Sequence, residues 1–529
     1  MKNRLLTLLV LLSTTGFGQD LSVCEKYRAD FDFLVEKLIE THPDPYSGFG
    51  GPTEFSKEKL KAAQLISDSM TDEDFVLLTN RFLSNLDDGH TTMFFPRKES
   101  GIKKFFPLEL KMSSDKIFVQ NSTEEYKALK GGQLLEVNKV PISKLLAKTT
   151  TLEPSENIAG EYYGLVKIIR NPALSHQFFG TERIECTVSR CSGETSLIEI
   201  PYQDKVDLLP ENSIFDLKND NHLLYWAMVG RNKNIGYLAW NSVLSREVVE
   251  DVYKNNPERI RDNLNWAYSY LSEKQSGNIE QDILRIPSIY EQFNLLAKAM
   301  NANKSKYLII DLRSNGGGMT PLIRPLLYVL FGNRYLEFDF EAEYIRKISP
   351  LYIQKLGFNG IEDFNNSYNS NFRIGDYISD NFGNLDPNLS LEQKRISVEN
   401  GYNGFGAEYI KTTELLTDVS IYVLTSPKTF SAAYHFSYFL KKLGRTKIVG
   451  VASRQAGNSF METTNITLPN TRITGSISNS KQILFKNDSI LGRILTPDYE
   501  MSWSDFRHFD FDKNAEILKA VEIIENEIK

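Results

Sequence analysis

Three consecutive glycines stand directly behind a buried-strand pattern in this chain, and a second strand pattern about a hundred residues later runs into a helix that opens on small residues. The first segment, DLRSNGGG (Asp311 to Gly318), follows the apolar run Tyr307, Leu308, Ile309 and Ile310. The second, TSPKTFSAAYHF (Thr425 to Phe436), follows Val419 to Leu424 and continues with Phe436, Phe439, Leu440 and Leu443 at helical spacing. Short apolar runs bounded by turn residues read as buried strands, and the spacing after Ser431 reads as a helix. Repeated strand, loop and helix units of this kind restrict the region to an α/β fold.

The chemistry these two turns can carry is specific. Gly316, Gly317 and Gly318 let the backbone turn sharply and aim main-chain N–H groups at one point, as an oxyanion hole requires. A glycine-rich strand-to-helix turn also occurs with no ligand at all. A phosphate loop is disfavoured, because no Lys-Ser/Thr pair follows the glycines. Ser431 sits at the start of the second helix with Ala432 and Ala433 behind it, small residues that allow a carbonyl to approach, and the Ala432 N–H lies at the helix N-terminus as a second oxyanion donor. A serine here also serves as a simple helix cap.

A serine needs a base within hydrogen-bond reach. Of the six histidines, His90 stands out in LDDGHTTM (Leu86 to Met93), at the end of a helical stretch and beside two carboxylates and a glycine. A histidine in such a turn can equally be a solvated loop residue. His42 precedes Pro43 and reads as a helix terminator. His435 follows Ser431 by one turn of the same helix, where its ring points away from the serine oxygen.

On these residues the chain resembles the S41 serine peptidases, which include C-terminal processing peptidases, tricorn-core peptidases and interphotoreceptor retinoid-binding repeats. The matching segments are DDGHTT, IGYLAWNS (Ile235 to Ser242), YLIIDLRSNGGG, the Ser431 segment with KIVGVASRQAGN (Lys447 to Asn458) behind it, and TPDYE (Thr496 to Glu500). One branch of the family uses a lysine base, and the corresponding stretch here, Gln455, Ala456 and Gly457, has none. The other branch uses a histidine from a GH-type motif, which Gly89-His90 fits. The resemblance therefore implies Ser431 as nucleophile, His90 as general base, and Gly317 (or Gly316 or Gly318) with Ala432 as oxyanion donors, with no metal or cofactor. Two family glutamates are missing, since Tyr434 and Leu491 stand in their places. Asp488 and Glu462 become candidates to orient the base, beside Asp87, Asp88 and Asp498.

The resemblance also implies the architecture. It predicts an α/β core of the crotonase type, the fold class of ClpP and crotonase, with an N-terminal helical domain and a β-rich PDZ-like module. The expected divisions are a signal peptide at 1–19, a helical domain at 20–97 carrying His90, the β-rich module at 98–208, and a catalytic domain at 209–529 with insertions at about 244–292 and 335–415. Phe31, Leu34, Leu38 and then Phe75, Leu78, Phe82 recur at helical spacing, which supports the helical unit directly. Long insertions are frequently covers over a site, and lids over a groove are expected here.

At 529 residues, 41% hydrophobic and 24% charged, the chain is long enough for two or three substantial cores. A net charge of -7 without a basic stripe argues against nucleic acid as a partner. Lys2 and Arg4 precede LLTLLVLL (Leu5 to Leu12) and a polar stretch to Gln19, the order of a secretory signal. No later run is long enough to span a bilayer, so a periplasmic or secreted protein without an integral membrane segment is expected. Cys186 and Cys191 are close enough to bridge if the chain turns between them, although Thr187 and Val188 read as strand. The function expected is hydrolysis of peptides or unfolded protein by an exported serine peptidase. The alternative is a binding protein on the same fold that holds peptides or an apolar ligand without cleaving them.

Overall fold

In the computed structural model, which describes residues 21–96, 104–150, 152, 154–181, 183–211, 213 and 223–528, the apolar runs of the sequence form the middle of a six-stranded sheet. Strands Ile235–Trp240, Tyr307–Asp311, Ser420–Thr425 and Thr446–Gly450 lie side by side in parallel, with Tyr499–Glu500 parallel at one edge and Leu224–Val229 antiparallel at the other. Residues alternate between two buried faces. Leu238, Leu308, Ile310, Ile421 and Val423 join the main core on one side, while Tyr237, Ile309, Tyr422 and Val449 pack against Ile517, Ala520 and Ile524 of the C-terminal helix Ala515–Ile528 on the other. A parallel sheet covered on both faces needs strands that are apolar throughout, which is why these runs show no polar alternation. The mixed α/β class expected from the sequence is present.

The β-rich region is a separate antiparallel sheet of strands Leu108–Met112, Ile117–Ser122, Gln133–Val137, Arg183–Ser189 and Thr195–Pro201. Helices Ile142–Thr149 and Ile158–Arg170 close its core through Leu145, Leu165 and Ile169. The helical content of this region goes beyond the strands read from the sequence. Cys186 and Cys191 are not bridged. Thr187 and Val188 continue the strand, so no turn brings the two sulfurs together.

The N-terminal helices Val23–Thr41, Pro52–Gln64 and Asp72–Leu83 share their core with a long hairpin, Asn458–Thr467 and Thr474–Ile483, through Phe31, Leu34, Phe75, Phe82, Ile466 and Ile477. Buried Asp30 fastens the hairpin turn, accepting from the backbone N–H of Asn470 at 2.9 Å and of Thr471 at 2.8 Å. The short strand Thr92–Met93 then pairs with Thr474–Ile483. Residues 386 apart in sequence are thereby joined: Ser476 donates to the carbonyl of His90 at 2.8 Å.

The two insertions do not form detached lids. Residues 244–292 fold into helices Arg246–Asn255, Ile260–Tyr268 and Ile279–Arg285, and Val248, Val249, Leu264 and Ile283 enter the main core. Within 335–415, strands Glu343–Lys347 and Tyr377–Asn381 extend the sheet of the long hairpin, and Ile348, Ile353 and Phe364 make a small core of their own. The expected leader at 1–19 lies outside the described residues.

One ion network spans the modules. Arg313, at the end of the strand Tyr307–Asp311, binds Asp311 at 2.7 Å and Glu516 of the C-terminal helix at 2.7 Å, and Lys111 of the β-rich sheet reaches Glu516 at 2.8 Å. All but Lys111 are nearly excluded from water, and removing one partner of a buried ionic cluster strands the others. Arg313→Met is expected to cost about 3–5 kcal/mol of unfolding free energy, measured by urea denaturation, with part of the loss recovered when Glu516→Gln is added.

Candidate active site

The two turns singled out in the sequence are laced into one structure. Thr429 Oγ1 donates to Leu312 O at 2.8 Å, Ser426 Oγ to Arg313 O at 2.6 Å, and the Phe430 N–H to Asn315 O at 3.0 Å. Their strands are hydrogen-bonded neighbours in the sheet, so both turns leave it at the same end. Gly317, with φ of 110°, lies so close to Ser431 that a Cβ there would meet the Ser431 Cβ at 2.6 Å. Only glycine fits.

Ser431 itself has φ 54° and ψ -125° and immediately precedes the helix Ala432–Leu443. A residue with a side chain rarely adopts such a conformation, and strain of this kind costs on the order of 1–3 kcal/mol. It persists because the turn is over-determined: the Ser431 N–H donates to Oε1 of the fully buried Gln455, and Ser431 makes no side-chain capping bond to its helix. A strained serine on a strand-to-helix turn has its oxygen raised away from the backbone, the geometry of a nucleophile elbow. The Ala432 N–H, in the first turn of a twelve-residue helix, has no intrahelical acceptor by geometry.

The glycine expected to supply the second donor needs a correction. The Gly317 N–H is engaged by Asn315 Oδ1 at 2.9 Å. The neighbouring backbone pairing with Val243 uses Gly317 O and the Met319 N–H, at 2.8 and 2.7 Å. It passes over the N–H of exposed Gly318, which was one of the alternatives read from the sequence.

His90 lies in a turn held by its own neighbours. Its backbone N–H donates to Asp88 Oδ1 at 2.8 Å, and its ring stacks on Phe430, the residue before Ser431, with centroids 4.5 Å apart and planes at 24°. The histidine loop and the serine turn therefore meet directly. Both ring nitrogens are buried and neither carries a hydrogen bond. Burial pulls the imidazole down to about 4; the charge of Asp88 opposes this and the Arg454 guanidinium adds to it.

Two carboxyl groups stand behind the ring, with Asp88 Oδ1 at 4.0 Å and Glu156 Oε1 at 3.8 Å from Nδ1. Both are buried, yet they differ. Burial alone would raise Asp88, but hydrogen bonds from His42 and Thr91 together with the two imidazoles outweigh it and hold the group at about 2. His42 is held by two contacts, with the Asp44 N–H on its Nδ1 at 3.1 Å and Asp88 Oδ2 at 3.3 Å from its Nε2. Glu156 has donors too, but they do not outweigh its burial. Its burial, with Asp88 adding, pushes it up to about 8 against the pull of the Ala456 and Gly89 N–H groups.

Asp88, His90 and Glu156 also place ligand-type atoms within 4.8 Å of one another, a spacing that could hold a metal ion. All four carboxylate oxygens accept hydrogen bonds from the chain.

The other candidates lie elsewhere. Asp488 is exposed and caps the helix Ser489–Arg493, accepting from the N–H groups of Ile490 and Leu491. Glu462, with φ 56° in the strand Asn458–Thr467, pairs with Arg346 at 2.9 Å. Neither contacts His90, which corrects the expectation that one of them orients it. Asp498 binds the Ile448 N–H at 2.7 Å, and Asp87 is exposed. His435 has both ring nitrogens occupied, by Thr320 at 3.0 Å and Gln482 at 2.8 Å. His42 does end its helix, but its second role beneath Asp88 was not anticipated. Glu156 and Phe430 were missed altogether, and Gln455 was named only within the stretch where one branch of the family has its lysine. The only local signal near Glu156 is Asn157, which announces a helix start and nothing about chemistry.

Residues 283–501 match the model of peptidase family S41, which identifies that region as a serine-type peptidase domain. Among solved structures, mature CPAF superposes with a TM-score of 0.59 at 16% identity, covering 94% of this chain and 98% of that one. CPAF complexed with lactacystin gives 0.57 at 16% identity over 94% and 99%. At such identities the likeness is one of fold. The photosystem II D1 C-terminal processing protease aligns at 12% identity over 91% and 94% of the chains, with a TM-score of 0.38 that carries no argument. No curated protein sequence matches.

Two outcomes follow from the geometry. Ser431→Gly should unfold at higher denaturant than Ser431→Ala, by roughly 1 kcal/mol, because glycine relieves the positive φ at the cost of some unfolded-state entropy. His90 binds its proton less readily folded than unfolded, so the unfolded chain takes up protons as pH falls from about 6.5 towards 4 and stability drops across that window. Thermal melts at pH 7 and pH 4.5 should therefore show a smaller acid loss in His90→Gln than in the wild type.

Proposed function

We propose that this peptidase hydrolyses peptide bonds through a Ser431 acyl-enzyme with His90 as general base. The observation that carries the reading is the strained Ser431 turn, packed on Gly317 and lying under the His90 ring through Phe430. His90 takes the Ser431 proton, Oγ attacks the carbonyl carbon, and the oxyanion is held by the Ala432 N–H together with the Gly318 N–H. His90 then passes the proton to the leaving amine, and a water activated by the same ring releases the acyl group. A histidine held neutral by burial is competent as a base at neutral pH, and the ionised Asp88 stabilises the imidazolium that forms. The unpartnered ring nitrogens leave His90 able to turn towards Ser431, as catalytic contacts often tighten only with substrate bound.

A cleft of about 660 Å³ between the β-rich sheet and the core, lined by Tyr163, Arg170, Asn241, Ser314 and Lys428, opens beside the loops that carry Ser431. It supports a peptide or unfolded chain as substrate. The parallel sheet covered by helices supports a core of the crotonase type, and the antiparallel sheet with two closing helices supports the PDZ-like reading of the β-rich module. Export is proposed on Lys2, Arg4 and the apolar run Leu5 to Leu12. Among the described residues no helix is long and apolar enough to cross a membrane.

Intact-mass labelling with a fluorophosphonate probe tests the mechanism without knowledge of the substrate. One adduct is expected on the wild type, none on Ser431→Ala, and labelling slowed by roughly 100-fold or more on His90→Ala. No adduct on the folded wild type would overturn the Ser431 assignment and favour a site that binds without acylation.

A further inference from the structure

The base and the nucleophile come from opposite ends of the sequence, and one side chain from a third region touches the supports of both. Glu156 lies just before Asn157, the cap of the helix Ile158–Arg170 in the β-rich module. Its side chain is only 2% exposed. Oε1 accepts from the Gly89 N–H at 3.1 Å, beside His90, and Oε2 accepts from the Ala456 N–H at 2.8 Å. Ala456 adjoins Gln455, whose Oε1 receives the Ser431 N–H. The contact leaves no slack, since a Cβ on Gly89 would lie 2.9 Å from Glu156 Oε1. Asn157 adds a parallel tie, donating to Ser453 O at 3.1 Å and Arg493 O at 3.2 Å.

We propose that Glu156 is the positioning residue of the catalytic pair: its carboxyl group clamps the His90 loop to the segment that holds Ser431, so that the β-rich module completes the active site. This rests on the Ser431 and His90 reading. A carboxyl group suits the task because both oxygens accept, matching two backbone N–H groups that approach from different elements. A glutamine offers only one acceptor and presents an NH2 group to the other N–H, so one of the two ties is broken.

The clamp also bears on the strength of the base. The titratable and charged groups facing it are Asp88 and His90 on the histidine loop and Tyr434 on the serine helix, with Arg454 of the segment behind acting on His90. Glu156 carries its proton at neutral pH and loses it at about 8. Ionisation then places a negative charge 3.8 Å from His90 Nδ1, which strengthens the base. The rate of serine acylation should rise a second time through that range, a response that packing alone would not give.

The experiment is the fluorophosphonate labelling rate of the full chain from pH 5 to pH 10, for the wild type, Glu156→Gln and Glu156→Asp, with far-UV circular dichroism to confirm folding. Glu156→Gln is expected to label roughly 10- to 100-fold more slowly and to lose the rise near pH 8. Glu156→Asp keeps both acceptors and the charge on a shorter arm, and should keep the rise at an intermediate rate. Wild-type rates in either variant, or a slower Glu156→Gln with an unchanged pH profile, would overturn the positioning role while leaving Ser431 and His90 in place. If Glu156→Gln fails to fold, the wild-type profile decides, and a single inflection with no rise near pH 8 counts against the proposal. A wild type that takes no label removes both readings together.

Discussion

Asn315 holds the place where three strand ends meet. It is completely buried, and its Nδ2 donates to Trp240 O at 2.7 Å, its Oδ1 accepts from the Gly317 N–H at 2.9 Å, and its carbonyl accepts from the Phe430 N–H at 3.0 Å. One residue thus satisfies backbone groups at the ends of three parallel strands, where the ladder has stopped supplying partners. A parallel sheet gives its strand ends a common direction but not a common height, because each loop is free to leave at its own angle. The Asn315 bonds remove that freedom, and the glycine loop, the Trp240 end and the Ser431 turn are fixed to one another to within a hydrogen bond. The strained backbone of Ser431 depends on this. Without a rigid neighbour at Gly317 and Phe430, a positive φ on serine would relax into an ordinary helix start.

The base is held by a different kind of interaction. Asp88 and Glu156 are buried within reach of the same imidazole, but only Asp88 receives enough donors to stay ionised. Burying two carboxylates side by side in their charged forms is costly, and the arrangement resolves the conflict by supporting one and leaving the other protonated. His42, Thr91 and the His90 backbone supply that support to Asp88. The N-terminal helices therefore contribute more than the loop carrying His90: His42 sits at the end of the first helix, and its contact with Asp88 is part of what keeps that carboxylate charged.

The parts of this arrangement that were legible in the sequence are those encoded by short-range pattern. The strand runs before Asp311 and Thr425, the glycine triplet and the small residues after Ser431 each describe local backbone geometry, and the sequence records that geometry within ten residues. His90 was legible for a related reason, being placed in a turn of Asp and Gly after a helix. Glu156 and Gln455 had no such mark. Their roles arise from contacts with segments 67 and 24 residues away, and a lone Glu before a helix cap, or a Gln after a strand, has many ordinary explanations. The choice of Asp488 or Glu462 as orienting group failed because it looked for the carboxylate near the serine segment along the chain. Asp488 is committed to a helix cap and Glu462 to Arg346. The insertions misled in another way: their polar stretches resembled mobile covers, whereas regularly spaced Val248, Val249, Leu264 and Ile283 put the first of them into the core.

The division of labour among the three regions has a consequence for how the site is assembled. The core sheet ties the glycine loop to the turn before Ser431 through the bonds of Asn315 to Gly317 and Phe430. The histidine loop is docked separately, through the pairing of Thr92–Met93 with the long hairpin and the bond from Ser476 to the His90 carbonyl. These two rigid units meet at the Phe430 ring, a stacking contact that has little directional demand and tolerates sliding. Stacking alone would leave the distance from imidazole to serine loosely set. The two hydrogen bonds that converge on Glu156 are directional, and they cross the same junction. The combination of an aromatic contact with a directional clamp holds the histidine loop and the serine turn in register without making them immobile.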